Sequence, residues 1–277
     1  MQNFTFTRRS LFASAAVLAV SSLAGCGSKP KHEHGTLKIG ASPSPHAEIL
    51  NDFVAPRLEE QGITLEVKEY TDYIKPNQDV TSGDLDANYF QHINYLNNYN
   101  AENGTDLVNA GKIHFEPMGV FAGRSNDLAA ITDGATISIP NDPTNEGRAL
   151  LLLQEQGVIT LSDDAGLEAT PNDIVDNPHN IQFSEQEAAM LPSTLADVDF
   201  AVINGNYAID AGLTLADAVA QERADSEIIA EEYANVICTR PELEDDECIV
   251  ALVEVLQTED FKAYLEETFG DSVQAAF

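Results

Sequence analysis

Thr136-Ile137-Ser138-Ile139-Pro140-Asn141-Asp142-Pro143-Thr144-Asn145-Glu146-Gly147-Arg148, running on into the apolar stretch Ala149 to Leu153, decides the fold. The first four residues alternate polar and apolar as a half-buried strand does, and Pro140 ends them. The loop turns on Asp142-Pro143, and Thr144 stands where it caps a helix over 145–156. Strand, short polar loop and helix make one unit of layered α/β architecture. A helix start offers free N–H groups and the positive end of the dipole, which suit a carboxylate. Arg148 adds a planar fork for bidentate pairing. An Arg in the first turn opposes the dipole, so a capped helix with an exposed Arg is the weaker account.

The same alternation continues on both sides. Strand patterns fall at 37–40, 63–67, 107–110, 113–121, 136–139, 181–184, 200–203 and 235–238. Helical patterns fall at 46–61, after Pro76, and at 93–102, 145–156, 247–256 and 261–269. The small, polar-rich stretch from Gly119 to Gly134 separates the early units from the one quoted above. Two α/β lobes with a cleft between them are expected, residues 37–123 plus 231–277 forming one and 124–230 the other. In such a protein, polar and aromatic ligand groups collect at the carboxyl ends of strands.

Upstream, Arg8 and Arg9 precede an uncharged apolar run from Leu11 to Leu23, too short to span a bilayer but suited to a signal peptide. It closes on Leu23-Ala24-Gly25-Cys26, which resembles a bacterial lipobox. Residues 1–25 are therefore expected to be removed, with Cys26 acylated and residues 26–36 a tether. Arg8-Arg9 is also similar to a twin-arginine export motif. His32 and His34 lie in this tether, where paired histidines more often bind nothing.

Forty-six acidic residues against 14 basic ones give a formal net charge of -32. That charge repels phosphate backbones and gives no attraction to anionic lipids, which excludes nucleic acid as a partner and makes attachment to a membrane depend on the lipid. The surface reads as a solubilising or salt-adapted one.

Other clusters lie at expected strand ends. Asp86-Ala87-Asn88-Tyr89-Phe90-Gln91-His92-Ile93-Asn94-Tyr95 is one, and Tyr70 and Tyr73 supply rings at another. Aromatics at two loop ends suit an apolar or thioether side chain. Taken singly, Phe90, His92 and Tyr95 are as well explained as core residues. Asn204, after Ala201-Val202-Ile203, and Asn235 supply polar groups for a zwitterion. No Ser/His/Asp, Cys/His or zinc-spaced set appears, so neither an enzyme nor a cofactor is expected. A hydrolase of amino-acid derivatives and a metal-binding lipoprotein using His46, His92 and His114 are the rival readings. Cys238 and Cys248 lie close enough in sequence to form a disulfide in an exported protein.

Together with Gly40-Ala41-Ser42-Pro43, Pro45-His46-Ala47-Glu48-Ile49-Leu50, Thr71-Asp72-Tyr73 and Ile113-His114-Phe115-Glu116-Pro117-Met118-Gly119, these segments resemble the methionine-binding lipoproteins of the NlpA/MetQ type. The resemblance covers nearly all of the chain beyond Cys26. It implies a two-lobed periplasmic-binding-protein fold (type II-like) that captures methionine at the outer face of the cell membrane. Delivery would be to the permease and ATPase of an ABC importer. It further implies that Tyr73 and Phe90 flank the ligand side chain, with His92 and Tyr95 completing that wall. Arg148 would pair with the carboxylate, and Asn145, Asn204 and Asn235 would bond the polar ends. Another amino acid, a short peptide or a metal ion is the alternative ligand.

Overall fold

The computed structural model describes residues 35–223 and 231–277; the signal segment, Cys26, His32 and His34 lie outside them. Two sheets organise the chain. The first has six strands in the order β13-β4-β12-β3-β1-β2. They are β1 (Thr36–Ala41), β2 (Thr64–Glu69), β3 (Ala87–His92), β4 (Val108–Phe115), β12 (Asn235–Thr239) and β13 (Gln274–Ala275). The second has five strands in the order β11-β5-β10-β6-β9. They are β5 (Gly119–Ala122), β6 (Thr136–Pro140), β9 (Gln182–Gln186), β10 (Phe200–Ile203) and β11 (Ala218–Gln221). A short antiparallel pair, β7 (Thr160–Leu161) with β8 (Ile174–Asp176), stands apart.

Each sheet is covered on both faces, as the parallel pairs β1/β2, β1/β3, β6/β9 and β6/β10 require. Helical turns at Pro43–Ala47 and Ile49–Val54 lead into α1 (Ala55–Glu59). This segment packs Ile49, Leu50, Val54 and Leu58 on one face of the first sheet, beside Ile249, Leu252 and Leu256 of α7 (Glu247–Leu256) and Phe261 and Leu265 of α8 (Glu259–Phe269). The other face takes Val80 of α2 (Lys75–Ser82) and Leu96 of α3 (Ile93–Asn103). In the second sheet, Phe200 and Val202 pack with Leu150 and Leu153 of α4 (Pro143–Glu155). Ala201 and Ile203 turn the opposite way, toward Leu191 of α5 (Leu191–Thr194) and Ala208 of α6 (Gly205–Asp210). Their separation follows from the two-residue period of a strand.

Three expectations need correction. The apolar stretch 113–121 is not one strand: β4 ends at Phe115, Pro117 withholds a ladder donor, and the chain resumes as β5 in the other sheet. The lobe boundary drawn at 123 therefore falls after a strand that already belongs to the second sheet. Ala87 to His92, read as a ligand cluster at a loop end, is a strand in the interior of the first sheet with all six residues buried. Its polar members are satisfied laterally. Asn88 Nδ2 donates to Asn77 Oδ1 at 2.8 Å, and Gln91 Nε2 reaches the same oxygen at 2.7 Å. The third correction concerns the disulfide. Cys238 and Cys248 are free and buried. Cys238 packs with Val80 and Leu85, whereas Cys248 packs with the α7 core on the opposite face of that sheet. Short sequence separation cannot bridge a thiol that points from β12 to one face of the sheet and a thiol on the helix covering the other face.

Candidate ligand-binding site

The strand ends of the two sheets face one cavity. β3 ends at His92, β4 runs out at Phe115 just before Glu116, β6 ends before Asp142, and β10 ends before Asn204. Asn235 begins β12 directly opposite both His92 and His114 in the ladder. About 330 Å³ of space not filled by protein lies in this cleft, part of it open to solvent. Tyr73, Phe90, His92, Tyr95, Asn145, Arg148, Asn204 and Asn235, all eight residues picked from the sequence, line it. Sequence reading missed Gln91, Glu116, Gly205 and Asn206, which line it too.

One wall is aromatic. The Tyr73 ring lies 5.7 Å from Phe90 and 5.8 Å from Tyr95. Its hydroxyl donates to Asn206 Oδ1 at 2.6 Å, a bond from one lobe to the other. His92 extends this wall as a neutral ring. The Tyr95 backbone N–H donates to its Nδ1 at 3.1 Å, which leaves the proton on Nε2, 3.2 Å from Asn145 Oδ1. Burial, then the nearby Arg148 charge, pull its pKa down to about 3.

The opposite wall is polar. Asp142, rather than Thr144, caps α4: its Oδ1 accepts the Asn145 backbone N–H at 3.0 Å and the Asn145 side-chain amide at 2.8 Å. The N–H donor expected for a ligand is thus already used. Asn145 Oδ1 in turn accepts from Asn204 Nδ2 at 2.7 Å. Asn204 Oδ1 is then left buried with no partner among the described residues. An acceptor in that state calls for a donor from outside the chain.

Arg148 is buried at 4% exposure and already holds a carboxylate. Its Nε and Nη2 clamp Glu222 at 2.8 and 2.6 Å, and Nη2 also donates to the Glu116 carbonyl. Its guanidinium lies 4.4 Å from the Tyr233 ring centroid. Nη1 makes no hydrogen bond among the described residues, so the residue keeps one edge for the cavity it lines. Nothing in Gln221-Glu222-Arg223 distinguished Glu222 from the many surface acids of this chain. Glu116 did carry a signal, as a lone charge between Phe115 and Pro117 in an apolar stretch.

His46, His92 and His114 do not converge as a metal trio, because His92 is committed to Tyr95 and Asn145. His46 and His114 instead both face Glu116, at 3.3 and 2.7 Å.

Two α/β sheets with separate cores, enclosing a small cavity lined from both, define a two-lobed binding protein of the periplasmic type. Comparison with known proteins gives the family. The model of the NlpA lipoprotein family matches residues 37–277, and the chain belongs to that family. The D-methionine-binding lipoprotein MetQ of Salmonella typhimurium is 36% identical over 268 residues, covering 96% of this chain and 97% of its own. A solved nutrient-binding protein from Burkholderia cenocepacia, bound to methionine, is 40% identical with a TM-score of 0.82, covering 87% of this chain and 100% of that one. A periplasmic substrate-binding protein of an ABC transporter from Coxiella burnetii is 34% identical with a TM-score of 0.79, covering 86% and 99%.

Proposed function

We propose that this protein is the substrate-binding lipoprotein of an ABC importer and that its cavity captures methionine for the permease. The observation that carries the reading is one small cavity combining an aromatic wall, a buried Arg148 and the unpartnered acceptor Asn204 Oδ1. A zwitterion with an apolar tail needs those three surfaces together. The thioether would lie among Tyr73, Phe90 and Tyr95, with His92 closing the wall. The carboxylate would face the free edge of Arg148, while Asn145, Asn204 and Asn235 bond the polar ends. Native mass spectrometry and calorimetry with methionine test the assignment. Wild-type protein should bind methionine, and Phe90→Ala should weaken it roughly ten-fold, the scale of a lost sulfur–aromatic contact. Absence of binding by the folded wild type would overturn the function.

The same reading places the protein outside the cytoplasmic membrane on an acylated Cys26. Cys26→Ala should release it into the medium or leave it unprocessed. Unchanged membrane retention at the mature mass would remove the lipid anchor from the account.

A further inference from the structure

The cavity holds a carboxylate to which its cation, Arg148, makes no hydrogen bond among the described residues. Arg148 is bidentate on Glu222 and reaches Glu116 only through the backbone carbonyl. Glu116 is 5% exposed and lines the cavity. What surrounds it is a ring of neutral donors. His114 Nε2 lies 2.7 Å from Oε1 and His46 Nε2 lies 3.3 Å from the same oxygen. Both imidazoles carry the proton on Nε2: the Ser42 hydroxyl is 2.6 Å from His46 Nδ1, and the Tyr89 hydroxyl donates to His114 Nδ1. The His46 Nε2–H goes to Asn235 Oδ1 at 3.0 Å, so of the two rings His114 makes the hydrogen bond to Glu116. The Asn206 backbone N–H adds a further bond to the carboxylate. Gly205 lets that main chain approach: a Cβ there would stand 2.7 Å from Glu116 Cβ and 3.1 Å from Oε2.

Burial pushes the Glu116 carboxyl above its usual range, while the nearby His46 and Arg148 and the Asn206 N–H bond act to lower it, so an anion at this depth still needs a cationic partner. Every neutral donor around it stabilises the anion, yet none brings a positive charge, and burial without a counter-charge is costly. Neighbouring Asn204 presents its unpartnered Oδ1, and Asn206 carries the Tyr73 hydroxyl. The need left open at this end of the cavity is for a small cation with several N–H bonds to give.

We propose that Glu116, positioned by His114 and the Asn206 backbone N–H, accepts the α-ammonium of the bound ligand, so that a free amine is a condition of recognition. This rests on the cavity being an amino-acid site and adds to it the group that selects the amine. Arg148 and Glu116 then divide the zwitterion between them, one for each charged end. His46 and His114 do not touch the ligand. His114 donates to the carboxylate from behind, and His46, Arg148, Tyr73 and Tyr89 also face it.

Calorimetry with methionine and with 4-(methylthio)butanoate, the same molecule without its amine, tests this. Wild type should lose on the order of 30-fold or more in affinity when the amine is removed. Glu116→Gln should lose a similar factor for methionine and bind the two ligands within a few-fold of each other. His114→Leu should shift the acid limb of methionine binding to higher pH, because a donor to the Glu116 anion is gone; Phe90→Ala should leave that limb in place. If Glu116→Gln does not fold, the wild type still decides through the ratio of its affinities for the two ligands at neutral pH, where both carry an ionised carboxylate. Wild type that binds methionine but accepts the amine-free ligand equally well overturns the Glu116 role alone. So does Glu116→Gln with unchanged affinity. Wild type that binds no methionine overturns both readings.

Discussion

Arg148→Ala should cost the protein stability as well as ligand. The residue and its partner Glu222 are 4% and 6% exposed, with the two groups 2.6 Å apart. Removing the guanidinium leaves the Glu222 carboxylate buried with, among the described residues, the Met118 backbone N–H, at 2.7 Å, as its hydrogen-bonded partner from across the sheet. Breaking a buried pair from one side typically costs about 3–5 kcal/mol. Urea unfolding should show a midpoint lowered accordingly, and methionine affinity should fall by about 30-fold or more for want of a carboxylate partner. A double change separates the two losses. Arg148→Met with Glu222→Gln removes both charges yet keeps an acceptor for the Met118 N–H, so most of the stability should return while the affinity does not. A folded Arg148→Ala with an unchanged midpoint and wild-type methionine binding would refute both assignments.

Acidification should strip away the contribution of three buried histidines. His46, His92 and His114 are 1%, 5% and 0% exposed. Burial chiefly lowers their pKa values, to about 4, 3 and 3 respectively. For a depressed histidine, the unfolded chain takes up a proton below its ordinary value of about 6.5 while the native state does not. Stability is therefore intact above pH 6.5 and falls as pH drops toward the folded value, by about 1.4 kcal/mol per unit for each ring. Glu146, pushed up to about 7 by burial and then by the Glu185 and Asp142 charges, works in the opposite direction between its unfolded value and 7. A difference measurement cancels that opposing contribution. His92→Gln keeps an acceptor and a donor but no titration, so its stability relative to wild type should improve by about 2 kcal/mol between pH 7.5 and pH 5. Urea midpoints at the two pH values read this directly. A gap that does not change with pH would mean His92 is not held neutral.

The unit around Asn141 to Arg148 was legible because its signals are local: alternation, a turn on Asp142-Pro143, then an unbroken apolar run. Composition and charge likewise set the expectation, before any geometry, that nucleic acid is not a partner. The family resemblance singled out eight residues spread from Tyr73 to Asn235, and the fold brings all of them to one cavity. That much was carried by residue type and order.

Pairing between distant segments was not. β3 looks polar and aromatic, yet it is buried because β1 and β12 flank it, and its amides find partners in Asn77 of another element. Arg148 reads as an unpaired cation until the chain returns from the second sheet and puts Glu222 against it. The capped start of α4 reads as a free anion site until the Asp142 side chain turns back onto it. Cys238 and Cys248 are ten residues apart in order but lie on opposite faces of a sheet. The sequence alone determined the layered α/β units and the chemical types gathered for a small zwitterion. Tertiary structure alone decided which charges are already spent on one another, because burial and long-range contact set the partner of each ion, and neither is written in its neighbours along the chain.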